Sequence, residues 1–202
     1  MKEMRQTEKL RRFLVATPLL LATVVWTMHG GQSDGPQSAL EHRLRLFHTH
    51  TGERLDIVYR RGEAYIPDAI GKLDRFLRDH RTGEVRHFDP RIYDILEELT
   101  YAVGHPDREI DIVCGYRSSW SNEFLRARTT GVAKNSLHLR AEAIDLRMPG
   151  VNTSQLGAVA LSLHGGGVGY YPHSDFIHVD VGRVRQWCFN CSSGWQRTGS
   201  VE

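Results

Sequence analysis

The feature that most constrains the fold is a set of three candidate metal ligands spread over two distant segments. Residues 136–145 read SLHLRAEAID and residues 175–180 read DFIHVD. Within them, His138, Asp145 and His178 offer two imidazoles and a carboxylate. Three such ligands leave the fourth position of a zinc ion open for a water molecule, as catalytic zinc requires, whereas structural zinc is normally closed by four protein ligands. With 11 His in the chain, chance proximity to acids is the alternative.

The spacing inside the first segment predicts a bend. His138 and Asp145 are seven positions apart, and an odd separation in a regular strand puts two side chains on opposite faces. Both can bind one metal only if the chain turns near Arg140-Ala141-Glu142. We therefore expect extended chain with an irregularity between the two ligands.

Further motifs occur in a fixed order along the chain. They are HTHTGE at 48–53, RDHRTGE at 78–84, IVCGYRSSWSN at 112–122 and GGGVGYYP at 165–172. Together with the two ligand segments they resemble the zinc D-Ala-D-Ala metallopeptidases, in particular the branch of murein endopeptidase K. The resemblance runs from about residue 44 to residue 187, which is most of the chain.

This resemblance implies an α+β fold in which a small antiparallel sheet lines a zinc cleft between flanking helices, the hedgehog-like fold of that family. It implies an exported peptidase with one zinc per chain that hydrolyses amide bonds in peptidoglycan stem peptides, with crosslinks as the expected target. Two alternatives stay open: a catalytically silent relative that binds the cell wall or a partner, and a D,D-carboxypeptidase. The chain departs from the family at Ala141, where Gly is usual, and a positive φ costs Ala more than Gly.

The resemblance also suggests roles for residues around the ligands. Asp175, three positions before His178, is expected to be the general base, and for this it must lie in a turn before the strand. Asp180 is its competitor and otherwise supports His178 from the outside. Arg117 is expected beside the zinc, where its fork of donors suits an oxyanion or a substrate carboxylate. Weaker candidates for substrate contacts are Ser136, Ser118 and Tyr116.

Residues 1–31 have the pattern of an export signal. Five Lys or Arg precede an apolar run of 14 residues at 13–26, which is shorter than the ~20 residues that span a bilayer. A secretory signal is the first interpretation, and a membrane anchor over residues 13–28 is the alternative. Both the signal and the anchor predict a periplasmic or cell-envelope protein. Its export would use the general secretory route or the twin-arginine route. The expected order is then a tether at 32–41, the metallopeptidase domain at 42–190 and a tail at 191–202.

Composition excludes some classes of protein. The 202 residues, 40% of them hydrophobic, suit one globular domain with a core. The net charge is +2, and the basic excess lies in the first 31 residues, so the remainder is close to neutral. No nucleic-acid partner is expected, because a phosphate-binding face needs clustered basic residues. The sequence does not indicate an oligomeric state.

The three cysteines fall into two groups. Cys114 lies in an apolar strand run and is expected to be a small buried residue. Cys188 and Cys191 form a CxxC pair, for which a disulfide, two free thiols and a metal site are the alternatives in that order.

The pattern along the chain predicts a hairpin followed by alternating helices and strands. Residues 44–50 and 55–59 alternate around a Thr-Gly-Glu turn, which is typical of a β-hairpin. His48 and His50 share a face of this hairpin and suggest either a second metal site or a polar edge. Helices are expected from residue 67, from 89 to 103, from 120 to 128 and from 152 to 164, and strands at 110–114, 168–171 and 176–181.

Overall fold

The computed structural model describes residues 40–191. Its elements are β1 (Glu41–His48), β2 (Arg54–Arg61), β3 (Ala64–Tyr65), α1 (Pro67–Phe76), α2 (Arg91–Ala102), β4 (Ile110–Cys114), α3 (Ser119–Arg126), a 3-10 helix (Leu137–Arg140), β5 (Ala143–Arg147), α4 (Thr153–Ser162), β6 (Gly167–Tyr171), β7 (Phe176–Asp180) and β8 (Arg185–Cys188). The predicted signal or anchor, the tether before residue 40 and the tail after residue 191 lie outside these residues. Within them, no helix is long and apolar enough to cross a membrane.

The predicted hairpin is confirmed as β1 and β2. Its turn contains Gly52 at a φ of 73°, a left-handed conformation that glycine adopts without steric cost. The turn is closed by two backbone hydrogen bonds, from His48 N to Glu53 O at 2.9 Å and from Gly52 N to His48 O at 2.9 Å. Alternate residues of β1, Leu44 and Leu46, are buried in the core.

The helices α1 and α2 form where the apolar spacing predicts them. In α2, Ile92, Leu96 and Leu99 recur at helical spacing and are fully buried. The start of α2 differs by one residue from the prediction, because Pro90 is the cap and not the first helical residue. The carboxylate of Asp89 still accepts a hydrogen bond from a helix N–H, that of Arg91, at 3.1 Å.

All eight strands belong to one sheet, in the order β3-β2-β1-β4-β5-β7-β6-β8. Most pairs are antiparallel, as predicted, but β1 pairs with β4 and β6 pairs with β8 in parallel. The sheet is therefore larger and more mixed than the small antiparallel sheet expected. The chain passes through α1 and α2 between β3 and β4, and such a long crossover lets β4 return parallel to β1. The sequence does not reveal this, because strand patterns carry no information on direction.

Candidate metal centre

Five neighbouring strands carry the candidate site in one row across the sheet. On β5, Asp145 lies opposite His178 of β7 and pairs on its other side with Cys114 of β4. His178 is opposite Gly169 of β6, which is aligned with Trp187 of β8. Directly paired residues project to the same face, so this row delivers a thiol, a carboxylate, an imidazole and an indole to one surface. Gly169 makes room for the indole, since a Cβ there would lie 2.5 Å from its ring.

His138 reaches this row from the 3-10 helix that precedes β5. At the end of that helix, Ala141 has a φ of 56°, in the left-handed region, and reverses the chain between His138 and Asp145. The predicted bend is thus confirmed, at a conformation that costs a non-glycine residue roughly 1–2 kcal/mol. Backbone hydrogen bonds from Ala141 N to His138 O (3.3 Å) and from Glu142 N to Leu137 O (3.1 Å) hold it.

Three potential ligand atoms converge at the bend. His138 Nε2 lies 3.1 Å from Asp145 Oδ1 and 3.1 Å from His178 Nδ1, and His178 Nδ1 lies 2.9 Å from Asp145 Oδ1. For comparison, the ligand atoms of a tetrahedral zinc with bonds of ~2.1 Å lie roughly 3.4 Å apart. The triangle therefore has nearly the size that a bound zinc ion needs, and the three residues are buried.

The outer nitrogen of each imidazole has a partner that sets its tautomer. His138 Nδ1 lies 2.7 Å from the carbonyl oxygen of Gly115, and His178 Nε2 lies 3.0 Å from Asp180 Oδ2. Both oxygens accept only, so both outer nitrogens carry the proton and the inner nitrogens of neutral rings present lone pairs. Two lone pairs and the carboxylate of Asp145 then face one point. Such a set of acceptors needs a cation at its centre, and this arrangement around ligating histidines is common in zinc sites.

Without a metal, a proton takes the place of that cation. Burial lowers the pKa of His138, but the charges of Asp145 and Cys114 outweigh burial and raise it to about 10. Conversely, burial opposes ionisation of Asp145, yet His138 and His178 hold its pKa well below the usual range. The electrostatics of the pocket therefore favour a positive charge between the imidazoles and the carboxylate.

Asp180 is enclosed by donors behind His178. It is 1% exposed. Its Oδ1 accepts from Gly167 N (3.0 Å), Gly182 N (2.9 Å) and Arg185 Nη1 (2.9 Å), and its Oδ2 accepts from Arg185 Nη2 (2.7 Å) as well as from His178. Burial opposes its ionisation, but the hydrogen bonds from His178 and Arg185 keep its pKa low. All its lone pairs are in use, which suits an orienting role and not proton transfer.

Arg117 lies at the edge of the triangle, where β4 ends. The residue is 8% exposed, and one Nη is 3.7 Å from Asp145 Oδ2. The same group donates to Cys114 Sγ (3.4 Å) and the other Nη donates to Asn122 Oδ1 (3.3 Å). The amide of Asn122 also donates to Ala133 O at 3.2 Å, which braces the loop before the 3-10 helix.

Cys114 is closer to the site than its sequence context indicates. It is buried and free, as expected. However, its Sγ lies within 4.8 Å of ligand atoms of both His138 and Asp145. The available signal was its position directly before the GYRS motif at a strand end. Its apolar neighbours in the sequence instead predict a core residue.

The structure does not bring all predicted site residues to the triangle. Asp175 lies in a turn, as required, but it is exposed, it accepts a hydrogen bond from the hydroxyl of Thr153, and it is not among the residues that line the cleft. Ser136 lines the cleft, and its hydroxyl accepts from His138 N. The expectation that Asp175 sits beside the ligands is therefore not met in this conformation.

Two predicted substrate contacts have structural roles instead. The hydroxyl of Ser118 caps α3 by accepting from Ser121 N at 3.2 Å. The hydroxyl of Tyr116 donates to Glu84 Oε1 at 3.0 Å. Both residues are buried, and neither lines the cleft. A motif places residues in the chain without showing which side chains the packing covers, and here packing puts both hydroxyls away from the cleft lining.

The triangle lies in an open cleft of about 510 Å³. Aromatic residues form one side: Tyr171, Phe176, Trp187 and Phe189. The Trp187 ring is 5.1 Å from that of His178, and its Nε1 donates to the hydroxyl of Tyr171 at 3.1 Å. Cys188 and Cys191, just beyond Trp187, form a disulfide, the first of the predicted alternatives. His80 and Arg81, which have no role predicted from the sequence, also line the cleft.

Comparison with known proteins places the chain in a family. The sequence profile described as peptidoglycan L,D-endopeptidase MepK, of the M15 peptidases, matches residues 37–187. The chain belongs to this family. It is 43% identical over 144 residues to a probable peptidoglycan L,D-endopeptidase MepK of Haemophilus influenzae, across 71% of this chain and 77% of the relative. It is 40% identical over 144 residues to the Escherichia coli K12 peptidoglycan L,D-endopeptidase MepK, across 71% of this chain and 79% of that one. The resemblance to the murein endopeptidase branch is confirmed.

Proposed function

We propose that this protein is a zinc-dependent peptidoglycan endopeptidase that hydrolyses L,D crosslinks between stem peptides. The observation that carries the proposal is the triangle of His138 Nε2, Asp145 Oδ1 and His178 Nδ1, with both outer imidazole nitrogens held by acceptors. Three ligands in an open cleft leave room for water and substrate. The L,D preference comes from the names of the relatives in the MepK family.

Each of the three residues of the triangle, His138, Asp145 and His178, has its own part in binding the ion. A zinc ion held by them would supply Lewis acidity and lower the pKa of a bound water molecule. Gly115 O and Asp180 hold the outer nitrogens of His138 and His178, so that the inner nitrogens are oriented towards the ion. Asp145 supplies the negative charge that binds the cation, so the site keeps a net positive charge for polarising a carbonyl group.

Arg117 is proposed to stabilise the charge that develops on the oxygen of the scissile carbonyl. It is buried, fixed by Asn122 and Cys114, and close to Asp145. A guanidinium in such a desolvated position interacts strongly with an oxyanion, and it is already oriented before the reaction. This role differs from a surface ion pair, which contributes little.

Asp175 is proposed to take the proton from the attacking water. Its neighbours Ser174 and Phe176 line the cleft, so the turn that carries it borders the site. Its carboxylate must leave the hydroxyl of Thr153 to reach the water. Catalytic hydrogen bonds are often incomplete before substrate binds, so this position is compatible with the role.

The test is metal content and muropeptide cleavage on the purified protein. We expect one zinc per chain and chelator-sensitive conversion of L,D-crosslinked dimers to monomers. His138→Ala should lose both, and His105→Ala, an exposed histidine outside the cleft, should lose neither. Release of terminal D-Ala alone would indicate a carboxypeptidase, and bound zinc without any hydrolysis would indicate a silent wall-binding relative.

The proposed substrate also agrees with an exported protein. Peptidoglycan lies in the cell envelope, and residues 1–31 have the basic and apolar pattern of an export signal. We propose that the domain acts in the periplasm, either released after cleavage of the signal or anchored through residues 13–28. N-terminal sequencing of the mature protein from the membrane and soluble envelope fractions distinguishes the two.

A further inference from the structure

Two sequence motifs that the metal site does not use pack together as one wall of the cleft. They are HTHTGE at 48–53 and RDHRTGE at 78–84. Arg78 donates from both Nη atoms to the two carboxylate oxygens of Glu53, at 2.8 and 3.0 Å. The rings of His50 and His80 stack with centroids 4.1 Å apart and planes 13° apart. We call His50, His80 and the adjacent Arg81 the histidine wall; all three line the cleft.

A buried carboxylate ties the histidine wall to the catalytic side of the cleft. Asp79 is 1% exposed. It accepts hydrogen bonds from Arg81 N at 2.8 Å and from Ser118 N at 2.8 Å. Ser118 directly follows Arg117, which borders the metal ligands. The wall is therefore held in place relative to the reacting groups before any substrate arrives.

The polar groups of the histidine wall have no partners in the described part of the chain. No residue among 40–191 forms a hydrogen bond or ion pair with the guanidinium of Arg81 or with the ring nitrogens of His50 and His80. Burial, with a contribution from Arg81, lowers the pKa of His50, and it lowers the pKa of His80 to about 4. Both rings are neutral at physiological pH, so each still offers one N–H donor. Three donor groups thus line the cleft without a hydrogen-bond partner among residues 40–191.

The charged side chains that line the cleft favour an anionic ligand. Among the described residues, Asp145 is the only acid that lines the cleft, and it belongs to the candidate metal site. Three arginines also line the cleft: Arg81, Arg117 and Arg185. Arg185 forms an ion pair with Asp180, which neutralises its charge. The wall is not a second metal site, because the only described group with metal-ligand spacing is the one around His138. An unpaired guanidinium beside neutral N–H donors matches a carboxylate.

We propose that the histidine wall is a subsite for a free carboxylate of the peptide substrate, which it holds beside the scissile amide. Arg81 supplies the charge, and the stacked imidazoles of His50 and His80 supply hydrogen bonds on a rigid surface. This subsite rests on the proposed function for its substrate, a stem peptide. It selects crosslinks that carry a free carboxylate near the cut over those in which that group is amidated.

The test compares two synthetic crosslinked dimers that differ only in a carboxylate or a carboxamide next to the scissile bond. Arg81→Gln should raise KM for the carboxylate dimer by about 10–100-fold, the usual worth of a hydrogen bond to a charged group, with kcat nearly unchanged. It should leave the carboxamide dimer unaffected. His80→Phe keeps a ring for stacking but no N–H, and should act in the same direction. Arg75→Gln, an exposed arginine outside the cleft, is the matched control.

If Arg81→Gln raised KM equally for both dimers, or for neither, the proposed subsite would be wrong. Calorimetric binding of the monomeric cleavage product separates this result from failure of the proposed function, since binding needs no turnover. If the wild-type protein cuts neither dimer but binds the carboxylate product in an Arg81-dependent way, the subsite stands and the hydrolase does not. If the wild-type protein cuts both dimers and Arg81→Gln changes neither KM nor product binding, the proposed hydrolase activity is supported and the subsite is not.

Discussion

At the scale of single residues, the two acids near the last ligand differ in how much of their hydrogen-bonding capacity is free. Asp180 is buried, accepts five hydrogen bonds and has a low pKa, so it holds a proton poorly and is fully engaged. Asp175 is exposed and has Thr153 as its hydrogen-bond partner. A general base must be able to reach water and accept its proton. The free hydrogen-bonding capacity of Asp175 therefore favours it as the base, although Asp180 lies closer to the metal ligands.

Substitution of each acid by its amide separates the roles. Asp175→Asn should keep zinc and lose about 10²–10⁴-fold in kcat, the usual worth of general-base catalysis. Asp180→Asn should instead weaken zinc affinity by about 10–100-fold, because the outer nitrogen of His178 loses its charged partner. Metal titration and steady-state kinetics on both variants measure these effects. Full activity of Asp175→Asn together with a zinc-loaded but inactive Asp180→Asn would reverse the assignment.

At the scale of elements, the site depends on one backbone bend. Ala141 is fully buried and has a φ of 56°, and this conformation allows His138 and Asp145 to face one point from opposite ends of the bend. Alanine is strained there, and glycine is not. The surrounding hydrogen bonds and the burial of its methyl group hold the bend against this strain.

Two substitutions at residue 141 test the bend. Ala141→Gly should keep zinc binding, and its free energy of unfolding should change by no more than about 1 kcal/mol, because relief of strain offsets the greater freedom of the unfolded chain. Ala141→Val should lose stoichiometric zinc, since a β-branched residue is rarely tolerated at positive φ. Elemental analysis and denaturant unfolding provide both measurements. Normal zinc content in the valine variant would show that the ligands do not require this bend.

At the scale of the whole molecule, metal binding and folding are linked through protonation. The pKa of His138 rises from 6.5 to about 10 in the metal-free fold. Burial lowers this pKa, but the negative charge of Asp145 raises it by more. Because the folded pKa exceeds the unfolded one, this stabilisation is fully present below pH 6.5 and is lost as the pH rises through about 10. Zinc replaces the proton, so the zinc-bound fold should not share this loss.

Zinc uptake should therefore release about one proton per chain at pH 8, because His138 gives up its proton to bind the metal. Calorimetric titration with zinc in buffers of different ionisation enthalpy measures the number of protons. The thermal midpoint of the metal-free protein should fall between pH 7 and pH 10, and that of the zinc-loaded protein should change less. A zinc-binding enthalpy independent of the buffer would contradict the assignment of the proton to His138.

The sequence by itself determined the helices, most of the strands and the need for a bend between His138 and Asp145. Each of these depends on local spacing: the apolar periodicity of α2, the seven-residue separation of His138 and Asp145, and the motifs shared with the MepK family. Most helix caps and strand ends lie within a residue or two of their predicted positions because they follow the same local rules, whereas β1 begins at Glu41, three residues before its predicted start. The parallel pairing of β1 with β4 had no such local signal.

Only the tertiary structure decided which polar groups face the cleft. Ser118 and Tyr116 belong to a site motif, yet packing uses their hydroxyls for a helix cap and for Glu84. Conversely, Cys114 and Arg81 reach the cleft although neither stood out as a site residue. Strand register and loop packing join residues that are distant in the chain, and these contacts arise from non-local interactions that spacing along one strand cannot specify.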